Sequence, residues 1–333
     1  MNTDIILDVE NLSSGFTSKN DRITIVKDVS FQVHRGKTLA IVGESGCGKS
    51  VTVHSVMQLL PKNGKIFDGK VTYYKDGKAY ELSSLKQYGK EMRDIRGAEI
   101  GMVFQDPMAA LNPVYTVGAQ VSANLLQHFK MDKKEARKRV VEMFAKLGIP
   151  DPERRYDQYP HEFSGGMRQR VMIAIAMICN PQLIIADEPT TALDVTIQAQ
   201  IMELMKKLQV EDGKSIILIT HNMGLVAEMA DEVAVMYMGR VVEYGTIEQI
   251  FRHPTHPYTA ALLRSVPQLG MDRTKPLETI RGMTPNPRDL KDGCEFAGRC
   301  DFCTEACKKG KMPYRDIGGG HMVRCILTEG AEK

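Results

Sequence analysis

Residues 43–50, GESGCGKS, set three glycines, a lysine and a serine in a fixed order. Gly43, Gly46 and Gly48 let the backbone wrap closely, so that its N–H groups turn inward around an anion. The segment that follows, 51–60, reads as a helix ended by Pro61. Its N-terminus adds the positive end of a helix dipole. Lys49 supplies a mobile charge for β- and γ-phosphates, and the Ser50 hydroxyl is sized to reach Mg²⁺. Glu44, Ser45, Cys47 and Val51 complete the lining of the loop. A glycine-rich turn with a surface lysine is the bland alternative. However, all five fixed positions stand between an apolar strand, 38–42, and a helix, which is the context a phosphate-binding loop requires. The chain is read as binding a nucleoside triphosphate.

Three further groups carry polar chemistry. Asp187 and Glu188 follow the apolar run 183–186. Asp187 is placed to hold Mg²⁺, directly or through water. Glu188 can orient and polarise an attacking water as a general base. Gln105 follows the apolar run 100–104, and His221 follows 215–220. Gln105 can sense the ion, and His221 can contact the γ-phosphate or the water. Singly, each has a plain structural reading, since an acidic pair often caps a strand and a lone histidine is usually structural. Phe16 can stack on a nucleobase or plug the space between strands.

The elements that position these residues follow from hydrophobic patterning. Apolar strands at 38–42, 100–104, 183–186 and 215–220 alternate with helical segments, which implies a parallel sheet covered on both faces. Gln105, Asp187, Glu188 and His221 then share one carboxyl edge with the loop, where open α/β sheets bind ligands. Ahead of the loop, 5–9, 23–26 and 29–33 read as short strands joined by polar turns at 13–15 and 19–21. Lys75-Asp76-Gly77-Lys78 reads as a hairpin turn. One helical stretch is expected over 117–148, another from the Phe163-Ser164-Gly165-Gly166-Met167 segment to Cys179, and a third over 195–210. A helical connector is expected over 250–270, with a domain boundary near 265.

At 333 residues and 43% apolar composition, the chain can bury a substantial core. A net charge of +3, with acids and bases interspersed, argues against a dedicated nucleic-acid binder. The start, MNTDIILDVEN, reads as lacking a secretory leader. The longest wholly apolar run, 171–179, has nine residues and is too short to span a bilayer. A cytoplasmic chain is expected, with any membrane role exercised through a partner.

Taken in order, the loop at 43–50, Gln105, Ser164-Gly165-Gly166, Asp187-Glu188, Asp194 and His221 resemble the ATP-binding subunit of an ABC (ATP-binding cassette) transporter. The resemblance covers roughly residues 5–250. It implies an α/β P-loop NTPase fold of the ABC type, with a parallel core sheet, an antiparallel β subdomain and a helical subdomain at about 106–165. It also implies roles. Phe16 stacks on adenine, and residues 43–50 form Walker A. Gln105 is the Q-loop, and 163–167 are the signature. Asp187 and Glu188 are the Walker B aspartate and catalytic glutamate. Ala192-Leu193-Asp194 form the D-loop, and His221 is the switch histidine. ATP and Mg²⁺ are the implied ligands, with Ser50, Gln105 and Asp187 at the ion. Two positions depart from the usual pattern. Met167 stands where glutamine is usual, and Val51 where threonine is usual. Serine and both signature glycines are kept, and Ser50 is untouched. The resemblance further implies a head-to-tail dimer, with ATP between the P-loop of one subunit and Ser164-Gly165-Gly166 of the other.

Of seven cysteines, five fall between Cys294 and Cys325. In a reducing compartment such a cluster points to metal more than to disulfides, and four thiolates suit Zn²⁺ or a [4Fe–4S] cluster by ligand count. The segment His253-Pro254-Thr255-His256-Pro257-Tyr258-Thr259, together with this tail, resembles the dipeptide/oligopeptide importer branch of ABC ATPases. That resemblance implies an iron–sulfur cluster on Cys294, Cys300, Cys307 and Cys325, with Cys303 spare and Zn²⁺ as the alternative. It assigns 1–265 to the ATPase domain and 266–333 to a Cys-rich extension. It implies two membrane permease subunits, a second ATPase subunit (a heterodimer, with a homodimer as the alternative) and, indirectly, an extracytoplasmic substrate-binding protein. The chain would sit peripherally on the cytoplasmic face of the membrane, with no nucleic-acid partner. The helical subdomain would receive a coupling helix of the membrane subunit. Rival readings keep the engine and change the task. They are other cargo such as nickel or glutathione, a soluble ABC protein of DNA repair or translation, or a non-catalytic binding module. One cassette without sustained heptads disfavours the soluble rival. Complete catalytic residues disfavour the binding module.

Overall fold

The structure, a computed structural model, describes residues 4–18, 21–191, 193–266, 279–290 and 292–328. The polar turn expected at 19–21 and the end of the connector expected to reach 270 fall partly outside those residues, as does Ala192.

In chain order, the long strands β1 (Ile5–Ser18) and β2 (Asp21–His34) precede β3 (Thr38–Val42) and helix α1 (Lys49–Val56). Next come β4 (Gly64–Lys75), β5 (Lys78–Glu81), α2 (Lys90–Ile95) and β6 (Ile100–Val103). A helical block follows: α3 (Pro107–Ala110), α4 (Val117–His128), α5 (Lys133–Lys146), α6 (Pro152–Tyr156) and α7 (Gly165–Met177). The chain returns through β7 (Leu183–Asp187), α8 (Val195–Val210), β8 (Ser215–Thr220), α9 (Met223–Met229), β9 (Glu232–Tyr237) and β10 (Arg240–Thr246). It continues with α10 (Ile247–Arg252), α11 (Pro257–Arg264), and the short strands β11 (Arg315–Asp316) and β12 (Met322–Val323).

Among the described residues the strands form two sheets. One is antiparallel, in the order β2-β1-β4-β5. The other runs β11-β12-β10-β9-β3-β8-β7-β6. Its segment from β9 through β6 is parallel. Strands buried on both faces must be apolar throughout, and β3, β7 and β8 have every residue buried. Alternate residues then serve opposite faces. Leu39, Ile41, Ile185 and Ile217 join Leu7, Val29, Phe31 and α1 in a core between the two sheets. Ile184, Ile216 and Leu218 join Val121, Phe144, Ile173 and Met205 of the helical block and α8. Ala40 and Val42 join Tyr237, Ile250, Tyr258 and Phe296 in a third core under the tail. Gly101 in β6 lets α7 lie close, since a Cβ there would sit 2.2 Å from the Ala176 carbonyl oxygen.

Where the structure departs from sequence expectation, capping explains it. The helix expected over 117–148 is two. Asp132 accepts the N–H of Glu135 at 2.7 Å and starts a new helix after Phe129 closes the first. The connector is also two helices, because His253-Pro254 ends α10 and His256 caps α11 with Pro257 at its first position. The short strands expected before the loop merge into a long hairpin that absorbs register shifts.

The tail does not stand apart. Strand β12 pairs with β10 through Glu243↔Val323 and Tyr244↔Met322. Glu243 is fully buried and organises the junction. Its carboxylate accepts N–H bonds from Thr255 at 2.8 Å and His256 at 2.9 Å, and lies 2.8 Å from His321 Nε2. Burial pushes the His256 imidazole down to about 4, so it stays neutral and its Nδ1 accepts the Tyr258 N–H. Truncating Glu243 leaves the Thr255 and His256 N–H groups and the His321 ring without their common partner. Glu243→Ala is expected to cost about 3–5 kcal/mol in urea unfolding, and a loss below about 1 kcal/mol would remove this residue from its organising role.

Candidate functional site

Five segments converge at the carboxyl edge of the parallel sheet. The loop leaves β3 at Gly43, whose φ of +150° and proximity to Met236 require glycine. A Cβ there would lie 2.2 Å from the Met236 carbonyl oxygen. Gly48, at φ +107°, starts α1. Lys49 is buried, and its Nζ donates to the Gly43 carbonyl at 2.8 Å and the Glu44 carbonyl at 3.2 Å. Its ammonium is thus held within the loop by backbone oxygens. Cys47 is buried, and burial raises its thiol.

Ser50 Oγ donates to Asp187 Oδ1 at 3.0 Å. Burial pushes the Asp187 carboxyl above its ordinary range, against the Ser50 hydrogen bond and the nearby His54 and Lys49 charges that pull it down. A buried carboxylate beside a hydroxyl is a hard oxygen donor pair suited to Mg²⁺. Glu188 lies one residue beyond and takes a left-handed φ of +46°, uncommon for a non-glycine residue. Its N–H donates to the Ile219 carbonyl. Its carboxylate accepts from Gln105 Nε2 at 3.1 Å and Thr191 Oγ1 at 2.9 Å, and lies 3.5 Å from His221 Nδ1. The His221 ring is largely exposed beside it.

Gln105 therefore touches Glu188 and not the Ser50–Asp187 pair. Asp194 caps α8, accepting the Ile197 N–H at 3.0 Å. Ser164 caps α7, accepting the Met167 N–H at 3.3 Å. Gly165 and Gly166 face Leu193 and Ile197. These residues neighbour Leu193 and the start of α8, and among the described residues no hydrogen bond joins them to the P-loop of the same chain. Phe16 is half-buried near the tip of the β1–β2 hairpin, opposite Ile23 and Gly64, and belongs to none of the three cores.

Several participants escaped sequence reading. Thr191 holds Glu188. His54 approaches Asp187 Oδ2 at 3.9 Å from α1. Arg299 pairs with the carboxylate of Glu44, and the Tyr258 oxygen accepts the Glu44 N–H at 2.9 Å. Thr191 had a local signal, lying three residues after Glu188. Nothing in the sequence links Arg299 to position 44.

In the tail, Cys294, Cys300, Cys307 and Cys325 line one small cavity with His256, Phe296, Met312 and Ile326, and Cys303 is not among its walls. Backbone N–H groups of Phe296, Phe302 and Leu327 face the sulfurs of Cys294, Cys300 and Cys325, and the Thr304 N–H faces Cys307 at 3.4 Å. N–H donors of this kind suit thiolate. Burial nevertheless pushes the Cys294 thiol up to about 12. Among the described residues, no group of three or more His, Cys, Asp or Glu side chains is disposed to hold a metal ion. The donors line a common cavity without closing to ligating geometry.

Gly43→Ala is expected to weaken ATP binding by at least about tenfold, equivalent to about 1.4 kcal/mol, in a fluorescent-nucleotide titration. Unchanged affinity would show that the loop relaxes away from Met236 without cost.

Residues 26–191 match the family described as ABC transporter, and 242–307 match the C-terminal region of oligopeptide/dipeptide transporters. The dipeptide transport ATP-binding protein DppD of Bacillus subtilis is 50% identical over 325 residues, covering 97% of this chain and 95% of that protein. A putative peptide import ATP-binding protein of Brucella ovis is 50% identical, covering 96% of both chains. Among solved structures, a dimeric ATP-binding cassette in a post-hydrolysis state bound to ADP and Pi superposes with a TM-score of 0.64 at 30% identity. That match covers 73% of this chain and 99% of the cassette. A near-full-length match at half identity, on a fold whose loop, acidic pair and signature stand in cassette order, places the chain in the ABC transporter family, among its peptide import ATP-binding proteins.

Proposed function

We propose that the chain is the ATP-hydrolysing subunit of an importer for di- or oligopeptides. One observation carries the chemistry: the Glu188 carboxylate is held by Gln105, Thr191 and His221, one residue from the Ser50–Asp187 pair and on the same edge as Lys49. The cargo reading is supported by the match of 242–307 to the peptide-transporter C-terminal region and by the names of the relatives.

Lys49 exchanges the Gly43 and Glu44 carbonyls for phosphate oxygens when ATP enters. Ser50 and Asp187 would hold Mg²⁺, which when bound supplies positive charge against the phosphates. Water oxygen attacks the γ-phosphorus, Glu188 takes its proton, and the bond to the ADP oxygen breaks. His221 and Gln105 keep the carboxylate aimed, and Phe16 stacks on adenine. Ser164, Gly165 and Gly166 serve the ATP of a second subunit, a reading supported by the lack of any hydrogen bond from them to their own loop among the described residues. ATP then bridges the subunits, and hydrolysis releases them.

The second subunit is a related ATPase, and a homodimer is the alternative arrangement. Among the described residues no helix is long and apolar enough to cross a membrane. Two permease subunits supply the spans, and this subunit docks on their cytoplasmic face. Exposed Met108, Val114 and Tyr115 in the helical block fit that contact. Residues 1–265 form the motor and 266–333 the extension. Cys294, Cys300, Cys307 and Cys325 hold a [4Fe–4S] cluster, or Zn²⁺ in its place, and the facing N–H groups support thiolate there.

Glu188→Gln should retain ATP binding and lose about 10²–10⁴ in turnover. With the partner site also disabled, it should trap a closed dimer. Near-normal turnover would remove the general base. Iron, sulfide and zinc content of protein purified without oxygen tests the tail. Iron and sulfide at about four per chain support the cluster, stoichiometric zinc replaces it, and absence of all three overturns both.

A further inference from the structure

We infer that Arg299, in the cysteine-bounded turn of the tail, is a positioning residue for the ATP phosphate loop and acts through Glu44. Every polar handle of Glu44 is engaged. Its carboxylate receives Arg299 Nη1 at 2.6 Å and Nη2 at 3.0 Å. Its N–H donates to the Tyr258 oxygen at 2.9 Å, and its carbonyl accepts from Lys49 at 3.2 Å. The same residue thus meets the tail on one side and the phosphate-binding lysine on the other.

Arg299 is itself held rigidly. Its side chain is 7% exposed. Nε donates to the Arg281 carbonyl at 2.8 Å, Nη2 to the Ile280 carbonyl at 3.4 Å, and Nη1 to the Tyr237 oxygen at 3.4 Å. The guanidinium lies over Tyr237, whose ring packs on Tyr258 and Phe296 with centroids 4.7 and 5.3 Å away. The Glu44 carboxylate pushes the Arg299 guanidinium further up from its already high range. The turn carrying Arg299, Ala297–Arg299, is tied to Cys294 by the Ala297 N–H and runs directly into Cys300. A bidentate pair between planar groups fixes orientation as well as distance. Without Arg299, the loop that must receive a triphosphate carries an uncompensated carboxylate and loses its outer tether.

The test is ATPase kinetics and equilibrium ATP binding on the full-length chain. Arg299→Ala should raise KM and the ATP dissociation constant about tenfold at nearly unchanged kcat, the pattern of lost ground-state binding. Arg299→Lys keeps the charge without the fork and should raise KM less, about threefold. Glu44→Gln combined with Arg299→Ala should bind ATP more tightly than Arg299→Ala alone, because the unpaired charge is gone. Arg281→Ala, whose exposed side chain meets Asp301 alone among the described residues, should leave KM unchanged. A purely structural role predicts a lower kcat that follows the folded fraction, unchanged KM and additive losses in the double variant. That outcome overturns the inference. Should Arg299→Ala not fold, Arg299→Lys and the double variant carry the same comparison.

Discussion

The position of β3 constrains everything else in the molecule. It is hydrogen-bonded on both sides by parallel neighbours, β8 and β9, and covered on both faces. A strand so enclosed must be apolar throughout, and its end must turn abruptly to admit α1. Gly43 makes that turn against the Met236 carbonyl of β9. The loop is thus pressed onto the sheet that carries Asp187 and His221. The geometry at the phosphates is inherited from strand registration, since Asp187 pairs with Ile219 and Val42 with Thr220. A shift of one residue in either pairing would carry the acidic pair away from Ser50.

Around that edge the protein concentrates local strain and buried charge. Glu188 takes a left-handed φ, and Asp187 is a carboxylate driven up by burial. Both are arrangements that a stability argument alone would not choose. They persist because neighbours over-determine them: Ile219 at the Glu188 N–H, Gln105 and Thr191 at its carboxylate, Ser50 at Asp187. The signature glycines are the complementary case. They open α7 and lie against Leu193 and Ile197, so the start of α7 and the start of α8 sit side by side.

The tail is built into the motor. β12 extends the main sheet, Glu243 ties β10 to the His-Pro turn and to His321, and Phe296 completes an aromatic group with Tyr237 and Tyr258. Tyr258 and Arg299 then reach the phosphate loop from that platform. The cysteine cavity and the ATP loop are consequently two sides of one packed unit, and whatever orders the cysteines also orders the support of Glu44.

Local chemistry in the sequence determined a great deal. Glycines at fixed spacing, apolar runs of strand length and polar residues at their ends announce a phosphate loop and a parallel sheet, because those features depend on neighbours within a few positions. Element ends depend on caps that the hydrophobic pattern does not show. Asp132, followed by Glu135, marks a helix start inside what reads as one continuous helical pattern. The tertiary structure alone decided which distant groups meet. Arg299 and Glu44 are 255 residues apart, and Glu243 and His321 are 78 apart. Neither pair has a periodicity or spacing that expresses it. Such contacts arise when an irregular tail folds back onto a completed sheet. Side-chain charge then matters through burial, which residue order does not encode.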